Sequence, residues 1–321
     1  MTENGQTDDK QEIPDHQHAI PEVSPRRHPV MLALNLLGYA IGLLLMAYCV
    51  RTAVRDEAPR LLASAGLLRV ATLLLLSLIS VLAHGATWWL LMLPVKRLIF
   101  TRVEAINAIA SLLFYAPAKL SVISRAGLHR KMDGLSFPLI AAWFVAGSIC
   151  MGIPFLLVLF LTMTGEFNPL LRSVVVLFAL GGGVAGAVFL ARRRVVARLL
   201  KGSERMLIHP GIVSGAVLLR FIDLTAMSLR LQVSCDVMHQ PISLQQAYTL
   251  TIMPLLGSVV SPIGALGARE WLTGVLGEVL HSSGQEIFQN AATIATASEA
   301  AVLLVLSLIA LVYLKPHRYL K

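Results

Sequence analysis

The sequence predicts an all-α polytopic membrane protein with about six spanning helices, and three observations predict it. Hydrophobic residues make up 56% of the 321 and charged residues only 14%, giving a mean hydropathy of +0.72, whereas a soluble chain would cover its surface with charge. The apolar residues gather in blocks such as 29–50, long enough to cross a ~30 Å hydrocarbon core, for which about 20 helical residues suffice. The formal net charge is +9, and the Lys and Arg residues fall mainly between these blocks, on one side of the membrane. A nucleic-acid surface would instead cluster them on one face among aromatic residues, so nucleic acid is excluded as a partner.

Residues 1–25 are polar and acidic, with Glu3, Asp8, Asp9, Glu12, Asp15 and Glu22 interspersed with Pro14, Pro21 and Pro25. They read as a disordered cytoplasmic tail. Arg26, Arg27 and His28 precede the first apolar block, which is too long for a signal peptide and lacks an Ala-x-Ala-like cleavage site, so it reads as an uncleaved anchor. The expected spans are 29–50, 67–93, 138–162, 170–191, 211–234 and 288–314. Six crossings put both termini on the same side.

Charge then orients the spans. The linker after the second carries Lys96, Arg97, Arg102, Lys119, Arg125, Arg130 and Lys131, and the one after the fourth carries Arg192, Arg193, Arg194, Arg198, Lys201 and Arg205. Both are cytoplasmic by the positive-inside rule, and so are the termini. The stretches 162–169 and 231–268 lack Lys and Arg and face outward. Arg51, Arg55 and Arg60 in the first loop run against this bias and are outvoted.

Two stretches are apolar enough to enter the bilayer but too broken to cross it. The first runs over 103–127 with Pro117 inside it; the second runs over 247–280, with expected breaks at Pro254, Gly257, Pro262, Gly264 and Gly267. Irregular backbone is tolerated at membrane depth only when buried in protein or lining a wet cavity, so both read as re-entrant hairpins rather than as surface loops punctuated by Pro and Gly. Each follows the second span of a three-span set, and the two sets begin on opposite sides. This order is that of a possible inverted repeat, a common way to build an alternating-access site.

Within this frame a few ionisable residues stand at membrane depth. Arg220 and Asp223, three apart on one helical face, either line a path for a charged headgroup or neutralise each other as a packing device. Glu299, in a run of small residues in the last span, takes Arg269 or Arg220 as its partner, or stays protonated against a neighbouring helix. Arg269 and Glu270 follow a glycine-rich break where a helix should start. A helix N-terminus beside an arginine suits a phosphate, the competing reading being an Arg that snorkels to headgroups.

Other candidates carry less. His84 reads as structural rather than as a proton relay, and Trp88 and Trp89 as interface anchors. Gly181, Gly183 and Gly186 spell G-x-G-x-x-G inside a span with no preceding strand, so the dinucleotide reading fails, while Gly182 and Gly186 fit close helix packing. Cys49, Cys150 and Cys235 are isolated in apolar segments and read as small hydrophobes. There is no nucleophile elbow, Walker loop, zinc motif or D-x-D pair. Neither an enzyme nor a cofactor is expected.

Two motifs carry a family resemblance. The run Ser261, Pro262, Ile263, Gly264, Ala265, Leu266, Gly267, Ala268, Arg269, Glu270 resembles the P-x-G-G-L-G-x-R-E signature of the lysylphosphatidylglycerol synthase transmembrane-region family, the flippase-like membrane proteins. Tyr115, Ala116, Pro117, Ala118 and Lys119, through Arg125 to Gly134, Leu135 and Ser136, are similar to its earlier P-x-R-x-G-x-x-x-R … G-L-S motif. The similarity extends over about 30–314. It departs at Ser121 and Val122, where a glycine and an acidic residue are expected, and near Glu299, where an arginine is common.

The resemblance implies that residues 26–321 form a flippase-like transmembrane domain without the soluble synthase domain. It also implies a role at the lipid headgroup level in a bacterial inner membrane, and it adds Arg125 to Arg220, Asp223, Arg269, Glu270 and Glu299 as substrate-binding residues. The expected partners are membrane lipids with anionic or zwitterionic headgroups, moved by alternating access. A non-transporting scaffold for an envelope biosynthetic enzyme is the alternative, and an intramembrane lipid-linked glycosyltransferase is disfavoured for want of a carboxylate pair.

Overall fold

The computed structural model describes residues 44, 47–55, 58–115, 120–163, 169–193, 202–260, 267–281 and 284–315. The expected tail, most of the first span, Pro117 and residues 261–266 lie outside these. The helices in chain order are α1 (Ala58–Ser64), α2 (Leu67–Met92), α3 (Phe100–Leu112), α4 (Leu120–Asp133), α5 (Phe137–Met163) and α6 (Pro169–Arg192). They continue with α7 (Glu204–Leu207), α8 (Pro210–Val237), α9 (Leu244–Val260), α10 (Ala268–His281) and α11 (Gln285–Leu314). Among the described residues there is no strand, and α2, α5, α6, α8 and α11 are long and apolar enough to cross a membrane. The chain is an all-α, multi-pass membrane protein. Residues 47–55 are helical as well, and Ala53 packs with Leu73 of α2, Val237 of α8 and Ile294 of α11.

Burial is distributed as a bilayer requires and as water would forbid. Arg230 is 0% exposed, while Val312 is 75% and Phe178 is 78% exposed. In α11 the stripe Leu304, Val305, Leu308, Ile309 and Val312 points out, while Leu303, Ser307 and Ala310 point in. When the outer solvent is hydrocarbon, apolar side chains lose nothing by facing it, and polar groups must find their partners inside.

α8 is the central helix. It packs most extensively against α2 and also against α5, α6, α9 and α11. The pairs Gly215 with Leu90, Asp223 with Ser80 and Arg230 with Ser77 show that α2 and α8 run antiparallel. Trp88, expected at the interface, is instead buried at this seam, edge-on to Trp143 (5.6 Å) and Phe144 (5.4 Å). Its neighbour Trp89 is half-buried and donates its indole N–H to the Leu98 carbonyl (3.0 Å). The glycine that admits close packing in α6 is Gly183, against Ile153; Gly182 and Gly186 face open space, contrary to expectation.

The four helices α3, α4, α9 and α10 are 13, 14, 17 and 14 residues long. At 1.5 Å per residue even the longest reaches only about 26 Å, short of the hydrocarbon core. They form two doubled-back pairs, α3 with α4 and α9 with α10. α3 rests on α11 and α9 on α8 and α5, while α10 packs extensively on α11 and α4 only slightly on α5.

The second pair does not break at Pro254 as the sequence suggests, because α9 continues through it to Val260. Proline has no N–H for the carbonyl four residues back, here that of Leu250. The Thr273 hydroxyl of α10 lies 3.4 Å from that carbonyl, although its single proton has a shorter bond to the Arg269 carbonyl of its own helix (2.8 Å).

The base of the first pair is fastened by charge. Arg102 donates to Asp133 Oδ1 (3.2 Å), His129 Nδ1 lies 2.7 Å from Asp133 Oδ2, and Lys96 donates to the Asp133 carbonyl (2.5 Å). Burial holds His129 below the usual histidine value, outweighing the opposing bond and charge of Asp133. Burial alone would raise Asp133, but its hydrogen bonds and charge contacts with His129 and Arg102 bring it below its ordinary value. A neutral imidazole therefore donates to an ionised carboxylate.

Acid should undo this lock in two stages, since the unfolded chain takes up protons that the folded one refuses. The melting temperature in detergent is expected to fall as pH drops below about 6.5, where unfolded histidine protonates, and again below about 4, where unfolded aspartate does. His129→Gln should shrink the first fall and leave the second. A change in melting temperature between about pH 7 and 5 that is the same in His129→Gln as in the parent would contradict the arrangement.

Candidate functional site

The α2–α8 seam carries two charged clusters, about two helical turns apart. The first forms around Asp223. Ser80 donates to Asp223 Oδ1 (2.5 Å) and Arg220 Nη1 to Asp223 Oδ2 (3.3 Å), so the i, i+3 pair foreseen from the sequence does form on one face. Arg220 Nη1 also donates to His84 Nδ1 (2.5 Å), which makes that nitrogen an acceptor and His84 part of the cluster.

Arg125 reaches the same place from α4. It donates to Asn107 Oδ1 of α3 (2.6 Å), and Asn107 in turn donates to the Val81 carbonyl of α2 (3.3 Å). The Arg125 guanidinium carbon lies 4.8 Å from the Trp88 ring centroid, and that of Arg220 lies 5.5 Å from it. Two cations thus share one indole, a favourable contact for each guanidinium once desolvated. The Nε atoms of both arginines are buried without a hydrogen-bond acceptor.

The second cluster forms around Glu299. Arg230, wholly buried, donates to Glu299 Oε2 and to Ser77 Oγ (3.2 Å), and Ser77 is bonded to Ser298 (3.2 Å). Arg269, one residue into α10, lies 3.9 Å from the same Glu299 oxygen. Glu270 accepts from Thr296 Oγ1 (2.5 Å). The Tyr115 hydroxyl, at the end of the 3₁₀ turn after α3, lies within electrostatic reach of Glu299, Arg269, Arg230 and Glu270. Tyr115, at the end of the first pair's α3 side, and Arg269, in the first turn of α10, thus both belong to the surroundings of this cluster.

The six residues expected to meet a substrate are accordingly split. Arg125, Arg220 and Asp223 share the first cluster; Arg269, Glu270 and Glu299 share the second. Arg220 does not partner Glu299; Arg230 does, with Arg269 beside it.

Arg230, Glu104 and the polar residues Ser77, Ser80 and Asn107 were not foreseen. Two signals pointed to the charged ones. Arg230 lies seven residues after Asp223, two turns along the same face. Glu104 is the one acidic residue between Glu57 and Asp133.

Paired guanidinium groups beside an aromatic ring suit a phosphate or carboxylate, which accept two parallel N–H bonds from arginine. Among the described residues no three His, Cys, Asp or Glu side chains converge in the manner of a metal site. The chain matches no protein-family model, no curated protein and no solved structure.

Breaking a buried pair by removing one partner costs about 3–5 kcal/mol, while replacing both with apolar groups of similar size is often close to neutral. Arg230→Met and Glu299→Met should each lower the melting temperature in detergent, and the double variant should regain most of the loss. A double variant as unstable as the sum of the two would show that the groups are not paired.

Proposed function

We propose that the protein is a lipid translocase of a bacterial inner membrane, with both termini cytoplasmic, and that it takes a lipid whose headgroup is anionic or zwitterionic. The observation that carries this reading is the delivery of Arg125 and Arg269, by helices too short to span, to charged faces of the spanning helices α2, α8 and α11. A structural ion pair between two spanning helices needs no such helices. A path for a headgroup needs charge on elements that can shift relative to the spans.

Arg125 and Arg220 beside Trp88 would receive the phosphate, with Asp223 and His84 holding Arg220 in place. Arg269, Arg230 and Glu299 would form the second station, two turns farther along the seam. Alternating access would then expose one station at a time as the pairs rock against the central helices. The resemblance to the flippase-like membrane proteins supports the same substrate class.

The test is movement of a headgroup-labelled anionic phospholipid in liposomes containing the purified chain. A hydrogen bond to a charged group contributes about 1.5–3 kcal/mol, so Arg125→Ala and Arg269→Ala should each slow movement roughly tenfold to a hundredfold. Glu278→Gln, in α10 but outside both clusters, should leave the rate unchanged. Unaltered movement in both arginine variants would reject the site. No movement by the parent, together with capture of one stoichiometric biosynthetic enzyme, would favour a scaffold instead.

A further inference from the structure

Glu104, in the first turns of α3, has a carboxyl group that the clusters above do not use. Both of its oxygens are buried and neither has a hydrogen-bond partner. The carboxyl lies directly on the bare α-carbon of Gly85 in α2, where a Cβ would overlap it. Arg125 acts on it electrostatically, yet forms no ion pair with it among the described contacts and gives its Nη2 to Asn107 instead. Glu104 and Asn107 are three residues apart on α3, so one guanidinium has two acceptors on one helix face.

The other charged and titratable groups on the surrounding elements are engaged elsewhere. His84, beside Gly85 on α2, turns to Arg220 and Asp223. From α4, His129 is bonded to Asp133, which also takes Arg102 of α3 itself. From α11, Tyr313 is bonded to Thr101, and Glu299 is held by Arg230. Tyr115, past the end of α3, lies with the second cluster.

A buried carboxyl with no donor to satisfy it favours the neutral form, and an adjacent cation favours the charged one. We propose that Glu104 is a proton-binding site that competes with the anionic headgroup for Arg125, so that proton and anion are taken up together. With the proton on, Glu104 is neutral and Arg125 stays on Asn107 and Trp88, its charge available to an anion. With the proton released to water, the Glu104 carboxylate draws Arg125 from Asn107 into an ion pair and cancels that charge. The coupling is reciprocal, so a bound anion holds the proton on Glu104. The inference rests on the translocase reading for its purpose but not for its test.

That test is infrared difference spectroscopy of the full chain in liposomes, following the carboxylic-acid C=O stretch as pH is raised. The parent should show a protonated carboxyl that titrates well above the ordinary glutamate value of about 4.3, and Glu104→Gln should lack it. Asn107→Leu removes the competing acceptor and should lower the midpoint by about one unit or more, as an opposite charge brought into contact does. An anionic phospholipid should raise the parent's midpoint relative to vesicles of neutral lipid. A titration identical in the parent and Glu104→Gln, or a midpoint unmoved in Asn107→Leu, would overturn the proposal. If the titration behaves as expected while labelled lipid fails to move, the proton site stands and the translocase reading falls.

Discussion

A charge inside a hydrocarbon slab must be paired, and in this protein nearly everything else is arranged around that requirement. The seam between α2 and α8 holds Arg220, Asp223 and Arg230 on one helix, facing Ser77, Ser80 and His84 on the other. Each guanidinium or carboxylate there is met by an opposite charge, a hydroxyl or an imidazole. The cost of leaving one unmet fixes the register of the two helices more strictly than apolar packing would, because leucine against leucine is no better than leucine against lipid. Hydroxyl groups matter for the same reason. Ser77 and Ser80 are small enough to let the helices approach and polar enough to receive what crosses between them.

The short helices complete the charge balance from the side. α4 brings Arg125 to Trp88 of α2, and α10 brings Arg269 to Glu299 of α11, both spanning helices. The Leu250 carbonyl left open by Pro254 has the Thr273 hydroxyl of α10 nearby, shared with the Arg269 carbonyl. Broken helices are stable at this depth only with such help. The short helices are therefore also elements that carry charge into the interior.

How much of this was legible depended on whether a residue's role was local. Bilayer thickness fixes the length of a spanning helix, so the blocks at 67–93, 138–162, 170–191, 211–234 and 288–314 correspond closely to α2, α5, α6, α8 and α11. The first block falls mostly outside the described residues. Arg220 with Asp223 was legible because both lie within one turn. Arg230 was not, because its partner Glu299 is on another helix. Pro254 misled for a similar reason, since the hydroxyl that lies near the carbonyl it leaves open comes from α10. Trp88 was read as an anchor because nothing in the sequence told which way the indole turned, and it turned inward, towards two arginines. Glu104 needed Gly85, on a different helix, to have its carboxyl fit at all.

The last helix touches both short-helix pairs, α3 along one side and α10 along another. A rigid rod gripped in two places transmits whatever displaces either grip. In the proposed transport cycle one pair would swing aside only by dragging or shearing the common rod against its counterpart, and a doorway opened at one end would work against a doorway at the other. Mutual exclusion of the two openings would then follow from connectivity, with no separate latch required.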